Sequence, residues 1–289
     1  MQENKEISAL FHLIDDPDEE VYGAISEKIL SFGKGIIPNL EHLWENTTDS
    51  TIQERIENII HRLHFRDLCD DFTDWKNGST NLLTGALLVA RYHYPDMQED
   101  NVLKELEKIR RNTWLELNTY LTPLEQVNIV SGILYNYSKL KGVEIAYNNP
   151  DDFLINKVLE SKRGNAVSNG IIYLILCELL DIPVRCINIP RQFIVGYMDA
   201  QVNILNPGSH PADSIKFFID PVNGQVYSHK DVENYFKRIA VPPTPSYYKP
   251  RNNKQIIQYL IEDFAKCFDN TNNAYKMQEL LSIINLIEE

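Results

Sequence analysis

The sequence lacks the features that mark a membrane protein, a disulfide framework or a metal centre. No apolar run approaches the roughly 18 uncharged residues that a membrane-spanning helix requires, so we expect no membrane partner. The four cysteines, Cys69, Cys177, Cys186 and Cys267, are widely spread and form neither a CxxC pair nor a Cys/His spacing. We therefore expect reduced thiols, no metal site and no cofactor.

Positive charge is also scarce. The 28 Lys and Arg residues oppose 41 Asp and Glu residues, a formal net charge of −13, and the one compact basic group is Lys108, Arg110 and Arg111. Phosphate-backbone binding depends on counterion release at basic surfaces, so we expect no nucleic-acid partner. The first twenty residues are acidic and lack the basic start and apolar run of a secretory signal, which predicts a cytoplasmic location.

Apolar residues make up 43% of the 289-residue chain, enough to fill a substantial core. Helical spacing predicts helices over residues 5–14, 18–32, 35–45 and 50–64, and Ser50 followed by Gln53 predicts a capping box. These helices resemble HEAT-type repeats, which gives a HEAT-like segment over residues 1–65. A second helical region over residues 66–145 contains predicted helices at 82–91, 98–121 and 124–139.

Helix and strand signals alternate over residues 146–240. We predict helices at 152–161 and 166–180, and strands at 184–189, 193–198 and 215–220, the last two separated by an Asn206-Pro207-Gly208 turn. A proline-rich connector at 241–245 then leads to a closing helical pair within residues 250–289, predicted at 254–268 and 274–287. The expected fold class is α+β and helix-rich, with a small antiparallel sheet in its core.

Two stretches carry a resemblance to a known family: RGNAVSNGIIYLILCELLDIPVRCINIPRQF, which begins at Arg163, and FFIDPVNG, which contains Asp220. They are similar to the N-P-I-S-L, P-x-H-F and I-D-P-F-N-G motifs of the SirB1 family. That family joins a helical N-terminal region to a transglutaminase-like, papain-related core and a C-terminal tetratricopeptide-like helical pair. The resemblance spans most of the chain and implies the same architecture here, with residues 146–240 as the core.

The resemblance also locates the positions where active transglutaminase-like enzymes carry a Cys, a His and an Asp. In such a triad the thiolate attacks a carbonyl, the imidazole moves the proton, and the carboxylate orients the imidazole. The corresponding residues here are Ser168, Gln192 and Asp220. Ser is common at the first position in the SirB1 family, whereas Gln192 replaces a usual His and Ala166 a usual Pro. A neutral Gln cannot accept a proton at physiological pH, so we expect no catalytic residue.

Three hypotheses about function follow. The leading one is a catalytically inactive transglutaminase-like protein with a binding, scaffolding or regulatory role and a protein partner. The second is a weak acyl-transfer or hydrolytic enzyme that uses Ser168, or a relocated Cys186 or His, in the same cleft. His210 and His229 are the nearest histidines to Asp220 in sequence, but both fall in polar, loop-like stretches. The third is a scaffold without a functional cleft, which predicts an exposed apolar patch on the terminal helices.

A ligand site is predicted at the turn before the helix over 166–180. Gly164 permits a close backbone approach there, and the free N–H groups of a helix N-terminus can bind an anion or a carbonyl oxygen. The candidate ligand-binding residues are Arg163, Gly164, Asn165 and Asn188, with Gln192 nearby. Cys177 lies nine residues after Ser168, on nearly the opposite face of the predicted helix, which indicates a structural thiol.

Overall fold

The structure is a computed structural model that describes residues 10–11, 13–199, 202, 210–269 and 274–288. The chain divides into two compact units, residues 1–74 and 75–289. Most of the helix predicted over 5–14 and the Asn206-Pro207-Gly208 turn lie outside the described residues. The finer division into four segments stays a prediction.

The first unit is helical. Its elements are α1 (Glu19–Leu30), α2 (Ile37–Asn46) and most of α3 (Ser50–Asn77). Their apolar faces meet in one core that includes Ile25, Ile29, Leu40, Ile56 and Ile59. The helix predicted to end at residue 64 continues to Asn77, because the sequence contains neither Gly nor Pro before Gly78.

The start of α3 differs from the prediction in its capping residue. The Asp49 Oδ1 accepts hydrogen bonds from the amides of Thr51 and Ile52, at 2.8 and 3.3 Å. The Gln53 side chain instead donates to the Thr47 carbonyl at 2.8 Å. The capping box predicted for Ser50 and Gln53 is therefore wrong, since Asp49 satisfies the free amides one residue earlier.

The second unit surrounds one buried helix. Its helices are α4 (Leu82–His93), α5 (Glu99–Glu116), α6 (Pro123–Ser131), α7 (Ile155–Ser161), α8 (Ala166–Leu179), α9 (His229–Arg238), α10 (Asn253–Ala265) and α11 (Ala274–Glu288). All side chains of α8 from Val167 to Cys177 are buried. This helix is apolar all round, as expected for a helix enclosed by its neighbours.

Two small sheets complete the second unit. The strands β1 (Lys141–Gly142) and β2 (Arg163–Gly164) pair in parallel. The strands β3 (Val184–Ile187), β4 (Ile194–Met198), β5 (Ile215–Ile219) and β6 (Val226–Tyr227) form an antiparallel sheet in that order. In this sheet Cys186 pairs with Val195, which pairs on its other side with Ile219. The helix-rich α+β class with a small antiparallel sheet is thus confirmed.

Several boundaries in the second unit differ from those predicted. The helix expected over 124–139 is α6 followed by a π-helical turn, Gly132–Tyr137, and α5 ends at Glu116 instead of residue 121. The helix α9 was not predicted at all, although Ser228 and Asp231 form a capping box at its start. None of the described helices is both long enough and apolar enough to cross a membrane.

Candidate functional site

The turn before α8 is held together by the Asn165 side chain. Its Oδ1 accepts hydrogen bonds from the amides of Val167 and Ser168, at 2.9 and 3.1 Å, which makes Asn165 the N-cap of α8. The N-cap position favours Asn because its side chain satisfies amides that the helix leaves free. Those two amides are consequently occupied, so the anion site predicted at this helix N-terminus lacks them as donors.

Ser168 is buried and its hydroxyl is already bonded. The side chain is 3% exposed, and Oγ donates to the backbone carbonyl of Asp152 at 2.6 Å. The same carbonyl accepts from the Asn165 amide at 3.3 Å. A hydroxyl in this position stabilises the turn, because it pairs a buried acceptor that would otherwise be only partly satisfied.

Arg163 forms an ion pair with the buried carboxylate of Asp152. The Arg163 Nε and one terminal nitrogen donate to the two Asp152 oxygens at 3.0 and 3.2 Å. The Asp152 side chain is 3% exposed and that of Arg163 54% exposed. A buried carboxylate needs such a partner, so Arg163 is committed to neutralising Asp152.

Gly164 lies where no side chain fits. A Cβ atom built on Gly164 would lie 2.4 Å from Asn169 Oδ1, 2.7 Å from Ser168 Oγ and 2.7 Å from Val158 Cγ1. The close approach predicted for this glycine is thus confirmed. What approaches it is the chain itself, since all three atoms belong to α7 or α8.

Gln192 and Asp220 meet at one cavity of about 460 Å³, which we call the Gln192 cavity. Its polar lining consists of Gln192, Asp220, Tyr227, Asp231, Asn234 and Arg238. Ile189, Phe193, Ile194, Val232 and the Tyr235 ring supply its apolar lining. The structure therefore brings together two of the three residues that the resemblance aligns with a catalytic triad.

Ser168 does not belong to the lining of this cavity. The part of α8 that packs next to the cavity is Gly170, where an added Cβ would lie 2.3 Å from the Phe193 ring and 3.3 Å from Pro221. Phe193 and Pro221 directly follow Gln192 and Asp220 in the chain. Two residues of helix rotate a side chain by about 200°, so Ser168 lies on nearly the opposite face of α8 from Gly170.

Asp220 shapes the turn that follows β5. Its Oδ1 accepts from the Val222 amide at 2.8 Å, and its carbonyl accepts from the Gly224 amide at 2.8 Å. Asp220 therefore has a turn-forming role, which Asp often has at such positions. Its carboxylate also acts on the neighbouring phenol in the cavity: burial raises the pKa of Tyr227, and the Asp220 charge raises it further.

One wall of the cavity comes from α9, a helix that the sequence pattern did not predict. Asp231, Asn234 and Arg238 recur at steps of three and four, so they share one face of that helix. Two signals were present in the sequence: the Ser228 and Asp231 capping box, and the apolar pair Val232 and Phe236 at helical spacing.

No described histidine belongs to the lining of the Gln192 cavity. Within residues 75–289 the histidines are His93, His210 and His229. The His210 Nδ1 accepts from the Ala212 amide at 3.2 Å, and the His229 Nε2 lies 2.7 Å from the Ile215 carbonyl. The His93 ring packs against Phe264. His210 is thus a capping residue, whereas the loop predicted around His229 is wrong because this residue begins α9.

The buried cysteines are held as neutral thiols. Cys186 is 1% exposed, and burial raises its pKa to about 12, against which the Arg251 charge has only a smaller lowering effect. Burial also raises the pKa of Cys177, which is completely buried. A thiolate is the reactive form of cysteine, so neither residue has the electrostatic setting of a nucleophile.

Asn188 lies apart from the Gln192 cavity. It lines a different cavity together with Lys249, Arg251 and Tyr259, and its Nδ2 donates to the Ser246 carbonyl at 3.4 Å. The predicted ligand-binding residues are therefore not one site. Arg163, Gly164 and Asn165 build the turn before α8, Asn188 belongs to the second cavity, and Gln192 belongs to the first.

The chain is similar in sequence to several known proteins. A UPF0162 protein of Buchnera aphidicola is 24% identical over 196 residues, which cover 66% of this chain and 67% of that protein. Protein SirB1 of Salmonella typhimurium is 23% identical over 221 residues, 75% of this chain and 70% of that protein. A UPF0162 protein of Xylella fastidiosa is 27% identical over 141 residues, 46% and 48% of the two chains.

No solved structure matches the chain. The family model described as Transglutaminase-like superfamily matches residues 100–262, which is more than half of the chain. The matched region contains α8, the antiparallel sheet and both Gln192 and Asp220. The chain therefore belongs to the transglutaminase-like superfamily, and within it is similar to SirB1 and the UPF0162 proteins.

Proposed function

We propose that this protein is a catalytically inactive member of the transglutaminase-like superfamily that acts by binding, with the Gln192 cavity as its binding site. The observation that carries the proposal is the position of Ser168. Its hydroxyl is buried and bonded to the Asp152 carbonyl, outside the cavity that Gln192 and Asp220 line. A nucleophile must reach its substrate and have a base within hydrogen-bond distance. Ser168 is 3% exposed, and the partners of its hydroxyl among the described residues are the carbonyls of Asp152 and Asn165 and the Asn165 side-chain oxygen, none of which is a base.

The cavity itself supports a binding role. Its volume of about 460 Å³ falls within the range of about 300–1,000 Å³ that is typical of small-molecule sites. An apolar lining with a few polar groups is also typical of such sites. The scaffold hypothesis lacks support at α11, because its exposed apolar residues, Tyr275 and Leu281, are six positions apart and do not share a helix face. The first unit exposes Leu13 and Trp44, so the hypothesis stays open for that unit.

The decisive experiment is a turnover assay on the full chain. Purified protein and the Ser168→Ala variant are incubated with an activated ester, and separately with a peptide carboxamide and an amine. We expect no release of alcohol or ammonia that depends on Ser168. A clear turnover in the parent protein that disappears in Ser168→Ala would establish the rival hypothesis of a weak acyl-transfer or hydrolytic enzyme.

The relocated-nucleophile version of that hypothesis has its own test. Turnover that survives in Ser168→Ala but is lost in Cys186→Ala would identify Cys186 as the nucleophile. We expect the turnover rates of both variants to equal the background rate in buffer, because Cys186 is 1% exposed and burial raises its pKa to about 12. Mass spectrometry after incubation with the ester checks for a covalent acyl-enzyme, which would contradict the proposal directly.

A further inference from the structure

The Gln192 cavity carries charges of both signs. Asp220 lies at the turn after β5, and Arg238 is the last residue of α9. Tyr227 lines the same cavity, and both groups affect its pKa. Burial raises that pKa most, the Asp220 charge raises it further, and the Arg238 charge lowers it. The two opposite charges therefore act on one wall of one cavity.

Arg238 is available to a ligand. Its guanidinium lies 5.3 Å from the centroid of the Tyr235 ring, and among the described residues it makes no hydrogen bond or ion pair. The Tyr235 hydroxyl is bonded to the Pro190 carbonyl at 2.8 Å, which holds the ring beneath the guanidinium in place. A guanidinium oriented in this way can bind a carboxylate through two parallel hydrogen bonds.

Asp220 keeps acceptor capacity beyond the turn that it forms. Its Oδ1 accepts from the Val222 amide, and the Tyr227 hydroxyl is a second donor to this carboxylate. A carboxylate offers about four acceptor positions on its two oxygens, so an ammonium group can still be bonded. The amides of Gln192 and Asn234, both on exposed residues, lie in the same lining and make no hydrogen bond through their side chains to a described residue.

The apolar part of the cavity is firmly placed. Ile189, Phe193, Ile194 and Val232 are all at least nine-tenths buried, and Phe193 packs against the Tyr259 ring with centroids 5.6 Å apart. These four residues form the apolar floor of the cavity, and such a floor favours the binding of an apolar group. The charged lining residues Asp220, Asp231 and Arg238 determine which polar groups that ligand can carry.

Resting on the binding role proposed above, we propose that the Gln192 cavity binds a small zwitterion with an apolar side chain, namely an aliphatic α-amino acid unit. Its carboxylate pairs with Arg238, its ammonium group with Asp220, and its side chain packs on the floor formed by Ile189, Phe193 and Val232. A purely anionic ligand is repelled by Asp220 and Asp231, and a purely cationic one leaves Arg238 without a partner. The same unit can come as a free amino acid or as a short peptide with free ends.

The test measures binding by titration calorimetry with probes that differ in one charge at a time. Leucine and leucyl-leucine carry both charges, leucinamide carries only the ammonium group, and N-acetylleucine carries only the carboxylate. We expect leucine or leucyl-leucine to bind more tightly than either singly charged analogue. Which of the two binds better distinguishes a free amino acid from a short peptide as the source.

Three variants assign the charges. Arg238→Gln and Asp220→Asn are each expected to weaken binding by about tenfold or more, because each removes one partner of a charge pair. Lys237→Gln is the matched control, because it also removes one positive charge from α9. The Lys237 side chain lies next to Arg238 in the chain but lines a different cavity. Circular dichroism and thermal melting verify that each variant is folded.

Three results would overturn this inference: no saturable binding of leucine or leucyl-leucine, equal binding of the singly charged analogues, or parent-like binding by Arg238→Gln and Asp220→Asn. Each of them leaves the absence of turnover standing, because that is measured in a separate assay. Conversely, Ser168-dependent turnover would overturn the proposed function, whatever the zwitterion does.

Discussion

The turn before α8 depends on a residue that has no side chain. Gly164 lies so close to Ser168 and Asn169 that their polar atoms occupy the space a methyl group would need. The hydroxyl of Ser168 is in turn directed to the Asp152 carbonyl, which anchors the turn to the preceding segment. Close packing at Gly164 and the hydrogen bond of Ser168 therefore fix the conformation of the turn at the start of α8.

The substitution Gly164→Ala tests that packing. The new Cβ would lie within 2.7 Å of Asn169 Oδ1, Ser168 Oγ and Val158 Cγ1, so the buried turn must shift. We expect the free energy of unfolding to fall by about 1–3 kcal/mol, as for other overpacked interiors, in urea denaturation. Gly132→Ala is the control, because nothing lies within 4 Å of its Cβ, and it should be neutral or slightly stabilising. Equal effects at the two glycines would contradict the close packing.

The substitution Ser168→Ala tests the buried hydrogen bond. Removing the hydroxyl deprives the Asp152 carbonyl of its shorter bond, and we expect a loss of about 1 kcal/mol in the free energy of unfolding. Ser282→Ala serves as the control, because that exposed hydroxyl bonds the Glu279 carbonyl within α11 and its loss should change stability by less than about 0.5 kcal/mol. A neutral Ser168→Ala would mean that the hydroxyl has no structural role.

At the scale of elements, α9 determines the shape of the Gln192 cavity. The Ser228 hydroxyl accepts from the Asp231 amide at 3.4 Å, while the Asp231 carboxylate accepts from the Ser228 amide at 2.8 Å. Val232 and Phe236 pack this helix onto the sheet residues Ile194 and Phe218. The helix therefore has a specified start and a specified buried face.

The substitution Ser228→Ala tests this specified start. Loss of an N-cap costs about 0.5–2 kcal/mol, and we expect a fall within that range in thermal or urea unfolding. In amide hydrogen-exchange measurements by NMR, the variant should lose more protection relative to the parent protein in α9 than in α8. Lys230→Ala, an exposed first-turn residue, is expected to leave both measurements unchanged. If α8 and α9 lost protection equally, the cap would not act locally.

The sequence predicts some elements better than others for identifiable reasons. The helix predicted over 166–180 is α8 almost residue for residue, because the capping Asn165 and the unbroken apolar run leave one interpretation. The helix α9 was not predicted, because Val232 and Phe236 are its only buried residues and the polar stretch around His229 is equally typical of a loop.

The candidate site was likewise predictable from the sequence only in part. The motifs placed Gln192 and Asp220 at the positions where the structure brings them into one cavity. The burial of Ser168 could not be predicted, since it depends on the carbonyl of Asp152, sixteen residues earlier in the chain. The cavity wall from α9 could not be predicted either without knowing how that helix packs on the sheet.

At the scale of the whole molecule, buried phenols and thiols make stability depend on alkaline pH. Burial raises the pKa of Tyr135, Tyr173 and Cys177 above their ordinary values, and that of Cys186 from 9.0 to about 12. In the unfolded chain these groups lose their protons at about pH 9–10. The unfolded state then holds fewer protons than the folded state, so stability is fully present below about pH 9 and falls as pH rises.

This dependence is measurable by urea unfolding at neutral pH and at about pH 10, where we expect a clearly lower free energy of unfolding. Tyr173→Phe removes one of the responsible groups and should flatten the decline. Tyr120→Phe removes a phenol that is 93% exposed and should leave the decline as it is. A stability that stays constant between the two pH values would refute the assignment.

The bond between Ser168 and the Asp152 carbonyl also has a consequence for protein engineering. Gln192→His would place an imidazole in the cavity that Asp220 lines, while the Ser168 hydroxyl stays bonded inside the turn. Ser168→Cys would place a thiol at a position that is 3% exposed and lies outside the lining of that cavity. Installing a complete triad in this chain therefore requires a rebuilt turn before α8 as well as new side chains.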